Sequence, residues 1–411
     1  MSTVLVIGAL DTKGSEVRFL KEQIERRGHR TLVMDIGVLG EAAFEPDVSR
    51  DEVAAAGGAD IARLAAAGDR GEALAAMIGG AARVARRLFE AGKFQAIVAM
   101  GGSAGTGVGT AAMRELPLGV PKVMISTLAG GDVRAFVGVK DIVMVPTIVD
   151  ISGLNRISRR VLAQAAGAVC GMLETEVPAG EDKPLICASM FGNTTPCVES
   201  ARALLEEAGY EVLVFHATGA GGQAMESLIA EGYIAGVLDI TITEWADEVV
   251  GGVLSAGPAR LEAAARAGTP AVIAPGCLDM VNFWGRETVP EKFRQRLFYQ
   301  HNPNVTLMRT TPEENAELGR ILAEKLNLSV GPVAVCLPLQ GVSAISAPGG
   351  PFHSPEADSA LFGAIKANLR PDIPVREIDA NVNDPEFARA AVGELLNMLS
   401  VRRPGPSSGS V

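Results

Sequence analysis

Short apolar runs alternate with amphipathic helical stretches along most of the chain. The first run is Val4–Ile7; a glycine-bearing turn and a helix follow, and a second run, Thr31–Met34, ends at Asp35. This alternation is typical of βαβ units, which build parallel sheets covered by helices. The pattern therefore predicts an α/β protein.

The pattern continues to about residue 173, pauses, and then begins again. Residues 48–92 have helical periodicity interrupted by glycines, and strand patterns follow at 96–100, 123–126 and 142–145. The pause, residues 177–184, is rich in Pro, Gly and charge, which is typical of a domain boundary. The strands predicted after it are Pro184–Ser189, Val212–His216, Ile234–Asp239, Ala271–Ala274, Val305–Met308, Val333–Leu337 and Val375–Ile378.

The second half resembles the first. Shifting the numbering by 181 places Gly209 on Gly28 and His216 on Asp35. We therefore predict two Rossmann-like three-layer α/β domains, residues 1–178 and 184–401, with mainly parallel sheets and a cleft between them. Residues 402–411, with the sequence RRPGPSSGSV, have the composition of a disordered tail.

Composition narrows the classes of function. The chain is 48% hydrophobic and 21% charged, which is typical of a globular protein, and its net charge of -11 argues against a nucleic-acid-binding surface. Five cysteines without a CxxC pair favour a reducing compartment. The first residues lead directly into a strand, and no apolar run reaches the roughly 18 residues of a membrane span. We expect a cytoplasmic protein without a membrane partner.

Three glycine-bearing loops follow strands of the first domain and should meet at one edge of its sheet: 8–14, 101–107 and 126–131. A helix N-terminus offers free N–H groups and a positive dipole end, and glycine allows close approach, so such loops can bind phosphate. The loops lack the standard GxGxxG and GxxxxGK[ST] spacings, and glycine-rich turns occur in every parallel α/β protein.

Lys13 adds a positive charge to the first loop, and Asp35 stands where an acidic residue can accept a hydrogen bond from a ribose hydroxyl. Asp11 is a candidate N-cap or Mg²⁺ ligand, and Asp150, before a later helix, caps that helix or joins the metal site. Together these features predict a nucleotide site. Its residues would be Gly8, Ala9, Leu10, Asp11, Thr12, Lys13, Asp35, Gly101, Gly102, Ser103, Gly105, Thr106, Ser126, Thr127, Gly130 and Gly131.

Five segments carry a resemblance to a known family: GALDTKG, GGSAGT, VDISGLNRISR, APGCLDMVNFW and GGPFHSPEAD. They resemble a bacterial and fungal family long catalogued as uncharacterised, to which the N-terminal domain of a plant tobamovirus-resistance protein belongs. The resemblance covers about residues 3–400. It implies ATP with Mg²⁺ bound by the three loops of the N-terminal domain, and a tendency to form a homodimer or higher homo-oligomer. It implies no established reaction, and we do not carry over the plant protein's antiviral activity.

The second domain has its own polar residues at predicted strand ends. The candidates for acid–base or metal chemistry there are Asp239, Cys277, Asp279, His301 and His353. No HxH, HExxH or CxxC spacing supports them, and scattered His and Asp are common in domains of this class.

Three functions are consistent with this sequence. The first is an ATP–Mg²⁺-binding protein that uses ATP to act on a small molecule in the cleft. The second is a regulatory or interaction module in which ATP is a structural ligand. The third is metal-dependent lyase or hydrolase chemistry in the second domain.

Overall fold

The computed structural model describes residues 1–178, 180 and 182–402. The chain divides into two compact units, Met1–Ala179 (unit 1) and Gly180–Val411 (unit 2). The predicted tail, residues 402–411, lies outside the described residues except for Arg402, at which the last helix ends. No helix in the described part of the chain is long and apolar enough to cross a membrane.

Unit 1 contains one five-stranded sheet in which every pair is parallel, in the order β2-β1-β3-β4-β5. Its strands are β1 (Thr3–Gly8), β2 (Arg30–Asp35), β3 (Ala96–Gly101), β4 (Lys122–Ser126) and β5 (Val143–Pro146). Its helices are α1 (Leu10–Glu25), α2 (Arg50–Ala56), α3 (Ile61–Ala67), α4 (Arg70–Glu90), α5 (Ser103–Arg114), α6 (Arg134–Val137) and α7 (Arg156–Glu174).

The sheet of unit 1 is buried on both faces, which explains the uninterrupted apolar runs of its strands. In β1, Leu5 and Ile7 pack with α2, α4 and α5, while Val4 and Val6 pack with α1 and α7. Each face is therefore covered by helices, and unit 1 has the three layers predicted. Helix α5 begins at Ser103, inside the predicted loop 101–107, because Gly102 already serves as its N-cap.

Unit 2 repeats this architecture with one strand more. Its main sheet is parallel, in the order β14-β13-β9-β8-β6-β7. Its strands are β6 (Leu185–Met190), β7 (Glu211–His216), β8 (Ile234–Thr241), β9 (Ala271–Gly276), β10 (Met280–Phe283), β11 (Phe298–Asn302), β12 (Val305–Arg309), β13 (Val333–Pro338) and β14 (Val375–Ile378). Its helices are α8 (Thr195–Glu207), α9 (Ala220–Ala230), α10 (Glu244–Val250), α11 (Glu262–Ala267), α12 (Pro312–Leu326), α13 (Pro355–Asn368) and α14 (Pro385–Arg402).

Three strands of unit 2 form a separate antiparallel sheet in the order β10-β12-β11. The predicted strand Val305–Met308 belongs to this sheet and not to the parallel one. One face of the antiparallel sheet contributes to a small apolar cluster that includes Met280, Leu307 and Phe352. The α/β class with two largely parallel sheets is confirmed, and this antiparallel sheet is an addition.

The internal repeat is visible in the backbone. Gly28 follows α1 with φ of 87°, and its counterpart Gly209 follows α8 with φ of 91°. Both angles lie in the left-handed region, where glycine carries no steric penalty, so each glycine ends its helix and turns the chain toward the next strand.

Candidate functional site

The strand order of unit 1 creates a crevice between β1 and β3. The helix after β1 packs on one face of the sheet and the helix after β3 packs on the other. The two connections therefore separate at the carboxyl ends of neighbouring strands, which is where open α/β sheets bind ligands. A cavity of about 520 Å³ lies there, which we call the switch-point cavity.

Half of the predicted nucleotide residues line the switch-point cavity. The predicted nucleotide residues that line it are Ala9, Asp11, Thr12, Lys13, Gly101, Gly102, Ser103 and Gly105. The N-cap of α5, Gly102, provides no side-chain hydrogen bond, so the first N–H groups of this helix are not capped by a side chain. A Cβ at Gly101 would lie 2.7 Å from the Cα of Gly105, whereas a Cβ at Gly102 would meet only Thr127 Oγ1 at 3.8 Å.

The other predicted nucleotide residues lie elsewhere. They are Gly8, Leu10, Asp35, Thr106, Ser126, Thr127, Gly130 and Gly131. Thr106 and Ser126 are fully buried, and their hydroxyl oxygens lie 2.7 Å apart. This hydrogen bond fixes α5 to the end of β4. The two hydroxyls therefore stabilise the start of α5 without lining the cavity.

Two aspartates hold the loops that frame the cavity. Asp35 is 1% exposed, and its Oδ1 accepts hydrogen bonds from the N–H groups of Leu10 at 2.9 Å and Gly37 at 2.8 Å. Asp35 therefore lies beneath the first loop and does not present a carboxylate to a ribose in the cavity. Asp11 does line the cavity; its Oδ2 accepts from the N–H groups of residues 38, 39 and 40, and its buried Oδ1 has no partner in the described residues.

Lys13 joins the cavity to the connection between β5 and α7. Its backbone departs from helical geometry, with φ of -132° and ψ of 21°, so α1 is interrupted where the lysine turns toward the cavity. Its Nζ donates to the carbonyl oxygen of Ile151 at 2.7 Å. Asp150, the second metal candidate, accepts a hydrogen bond from the Ile151 N–H and does not line the switch-point cavity.

The opposite wall of the cavity was missed by sequence reasoning. It is largely apolar and is formed by α3, α4 and the segment after β2, with two charged residues, Asp69 and Arg70, at the start of α4. Its members include Ile36, Val38, Leu39, Leu64, Ala73, Leu74 and Met77. Its helical members lie on the apolar faces of α3 and α4, and that periodicity does not distinguish a core position from a cavity wall.

In unit 2, Asp239 belongs to a buried charge network. Arg260, 1% exposed, donates to both oxygens of Asp239 at 2.6 and 2.8 Å, to Glu244 at 2.7 Å and to Glu226 at 3.1 Å. Ser189 also donates to Asp239, at 2.5 Å. Burial raises the pKa of both Glu226 and Glu244, and Arg260 opposes that rise. With every oxygen of Asp239 engaged, the network is suited to holding β6, β8 and α10 together.

The remaining candidates of unit 2 lie in different surroundings. Cys277 is fully buried, and burial raises the pKa of its thiol well above the usual value, which disfavours the nucleophilic thiolate. Asp279 is also buried and accepts a hydrogen bond from Ser343 Oγ at 2.7 Å; burial raises the pKa of this carboxyl to about 6. His301 is exposed on β11, and His353 lines a second cavity. The described residues contain no group of three His, Cys, Asp or Glu side chains that could hold a metal ion.

Comparison with known proteins gives one family for both units. Residues 2–178 match the model described as the N-terminal domain of an uncharacterised protein family, UPF0261, and residues 183–399 match the C-terminal domain of that family. A UPF0261 protein from Clostridium tetani is 52% identical over 398 residues, covering 96% of this chain and 98% of the relative.

A plant relative is longer. The ToMV resistance protein Tm-1(GCR237) of Solanum lycopersicum is 38% identical over 418 residues, which cover 96% of this chain but 55% of the tomato protein. Among solved structures, a UDP-N-acetylglucosamine 2-epimerase aligns over 100% of this chain and 99% of its own, with 12% identity and a TM-score of 0.24. A likeness this weak carries no inference about chemistry.

Proposed function

The chain belongs to the UPF0261 family, and we propose that it binds ATP with Mg²⁺ in the switch-point cavity of unit 1. The observation that supports this proposal is one cavity with two different walls: the uncapped N-terminal end of α5 beside Lys13, and an apolar surface opposite. Phosphates favour the first environment and a nucleobase favours the second. The volume, about 520 Å³, lies within the usual range of small-molecule sites.

In this proposal the phosphates take hydrogen bonds from the backbone N–H groups at the start of α5, residues 102–105. Lys13 moves from the Ile151 carbonyl to a phosphate oxygen, exchanging a neutral acceptor for a charged one. The base lies against Leu64, Leu74 and Met77. Asp35 holds the first loop in place and makes no contact with the ribose.

Mg²⁺ would arrive with the nucleotide. This ion keeps several waters and needs only one or two carboxylates in addition to phosphate oxygens. The fit to this chain rests on Asp11, which lines the cavity and has a buried Oδ1 without a hydrogen-bond partner in the described residues. The described residues supply no group of three His, Cys, Asp or Glu side chains that could hold a metal ion. Phosphate oxygens and water would therefore provide most of the Mg²⁺ ligands.

Calorimetry of the purified protein with ATP–Mg²⁺ tests the site. We expect Lys13→Ala to weaken binding by at least about tenfold, because a charge-assisted hydrogen bond is lost. Gly102→Val should abolish binding, since Gly102 lines the cavity and a Cβ there would lie no closer than 3.8 Å to a neighbouring atom. Lys21→Ala, a lysine paired with Glu25 further along α1, is the matched control and should bind normally.

Gly130→Val tests whether the third predicted loop, residues 126–131, takes part in binding. The third loop does not line the cavity, and a Cβ at Gly130 meets nothing within 4 Å, so this variant should bind ATP as the wild type does. Unchanged binding in Lys13→Ala and Gly102→Val, or no binding by the wild type, would overturn the assignment.

The same site can serve an ATP-using enzyme or a module in which ATP is a structural ligand. Analysis of nucleotide products after long incubation separates them, since only the enzyme forms ADP or AMP. The module predicts instead that ATP stabilises a homodimer, which sedimentation with and without ATP measures.

A reducing, cytoplasmic location is supported by the five cysteines, which are free and buried.

A further inference from the structure

Unit 2 has a cavity of its own, of about 550 Å³, beside the carboxyl end of β13 and one face of α13. We call it the Asp358 cavity. Part of its lining comes from the segment GGPFHSPEAD, to which the ATP proposal assigns no role. The lining mixes apolar surface with six polar side chains: Gln340, His353, Asp358, Ser359, Lys366 and Glu377.

Asp358 presents a buried carboxylate with one open oxygen. Its side chain is 9% exposed, and its Oδ1 accepts a hydrogen bond from Arg309 Nη2 at 3.0 Å. Its Oδ2 has no hydrogen-bond partner in the described residues, and Asp358 lines the cavity. A buried carboxylate gains most from a charged donor, so the open oxygen favours a ligand that carries an N⁺–H group.

Arg309 does not neutralise Asp358 alone, because a second buried carboxylate shares it. Burial raises the pKa of Asp279 to about 6, and the positive charge of Arg309 opposes that rise. Burial likewise raises the pKa of Asp358, again against the effect of Arg309. One guanidinium therefore serves two buried carboxylates, and a further cation beside Asp358 would stabilise the ionised forms of both.

The exposed part of the lining is also acidic. Lys366 is already paired, since its Nζ lies 2.5 Å from Glu377 Oε1, and Glu377 Oε2 accepts no hydrogen bond in the described residues. Gln340 donates to Asp379 at 2.6 Å, so a further carboxylate lies beside the cavity. Two cations, Arg309 and Lys366, thus face four carboxylates, and even a protonated His353 would leave the balance negative. The resulting potential attracts cations and repels anions.

We propose that the Asp358 cavity is a second small-molecule site and that it binds an aliphatic primary amine in its ammonium form. The ammonium group donates to Asp358 Oδ2, and the negative charge of Glu377 adds to its attraction. The hydrocarbon part lies against Phe362, which is 7% exposed, and Leu339, which is 40% exposed. The site belongs to unit 2 and would exist whether or not unit 1 binds ATP.

Histidine-labelled NMR detects this binding, because His353 lines the cavity and the 4 histidines of the chain can be assigned by substitution. The Nδ1 of His353 lies 3.2 Å from the carbonyl oxygen of Ser346, which holds the ring in place as a reporter. The probe is butylammonium. We expect the ring signals of His353 to shift and saturate, and those of the exposed His301 to stay unchanged. Two probes of similar length, the neutral 1-butanol and the anionic butyrate, should produce no saturating shift.

Two substitutions test the charge argument in opposite directions. Lys366→Gln removes a positive charge and releases Glu377, so this variant should bind butylammonium several-fold more tightly than wild type. Glu377→Gln removes a negative charge and should weaken binding several-fold. Lys292→Gln and Asp372→Asn change residues that do not line the cavity, and these matched controls should bind normally.

Asp358→Asn tests the central contact. With the charge removed, the shift of His353 on addition of butylammonium should be lost. Because Arg309 loses a partner in this variant, the two substitutions at Lys366 and Glu377 test the site without altering a buried pair. No saturating shift at His353 with butylammonium, an equal response to 1-butanol or butyrate, or weaker binding by Lys366→Gln would overturn the proposal.

Discussion

Asp247 is a buried carboxyl whose ionisation state should control the stability of unit 2. It is 1% exposed and accepts hydrogen bonds from the N–H groups of Leu254 and Asn282, both at 2.7 Å. Burial raises the pKa of Asp247 from 3.8 to about 7, against the effect of these hydrogen bonds. The folded state therefore keeps a proton that the unfolded state loses between about pH 4 and 7.

The sign of the pH dependence follows from that difference. Because the folded state binds more protons in this window, the Asp247 contribution to the free energy of unfolding falls as pH rises toward 7. Asp247→Asn removes this contribution, so urea unfolding should show the variant gaining about 2 kcal/mol relative to wild type between pH 5 and pH 7.5. A wild-type-to-variant gap that stays constant with pH would contradict the assignment.

Individual residues show where sequence reasoning stops. Lys13 and Gly102 could be predicted to lie at the carboxyl edge of the sheet because they follow apolar strands, and both line the switch-point cavity. The partner of Asp239 could not be found, because Arg260 is 21 positions away and no local pattern marks a buried arginine. Asp35 was located correctly at the end of β2, but which groups its carboxylate would meet depends on the loop that folds over it.

At the scale of elements, α1 is fastened to the β5–α7 connection by two opposite charges. Lys13 donates to Ile151, and the buried carboxylate of Glu16 accepts from the N–H of Gly153 at 2.6 Å. In the ATP proposal Lys13 leaves this connection, so Glu16 alone would hold it. ATP binding at Lys13 and the order of the β5–α7 connection are therefore coupled through α1.

Glu16→Ala should loosen residues 150–155 without disturbing the rest of α1. Removing the carboxylate leaves the Gly153 N–H without its partner, at a cost of about 1–3 kcal/mol. Hydrogen–deuterium exchange should therefore accelerate in that segment, and ATP–Mg²⁺ should accelerate it further in the variant than in wild type. Glu22→Ala, on the exposed side of the same helix, is the control; equal exchange in both variants would contradict this role.

Element boundaries were predictable where glycine marks them and not elsewhere. The glycine breaks at residues 57–58 and 68 separate α2, α3 and α4 as expected. The antiparallel sheet was largely missed because β11 has the sequence FYQHN, which is mostly exposed and lacks an apolar run. Pairing with β12 holds this segment in a strand conformation that its own sequence pattern does not indicate.

On the scale of the molecule, two units of similar topology need not bind the same ligand. Both main sheets begin with the same strand order, yet a glycine-rich turn in unit 2, residues 219–222, is already occupied by protein. The N–H groups of Gly219 and Gly222 donate to the buried carboxylate of Glu244 at 2.8 and 3.1 Å. An internal carboxylate thus takes the N–H groups that an external phosphate would need at this turn, as Asp11 does at residues 38–40 of unit 1.

The nucleotide proposal therefore predicts a footprint confined to unit 1. ATP–Mg²⁺ should slow hydrogen exchange at residues 9–12, 37–40 and 101–105, where amides lie on or beside the switch-point cavity. Glu244→Gln gives the complementary test: with the internal charge removed, the 219–222 turn should exchange faster while the ATP footprint stays the same. A footprint of ATP at 219–222 in the wild type would contradict the argument, because that turn would then be open to an external anion.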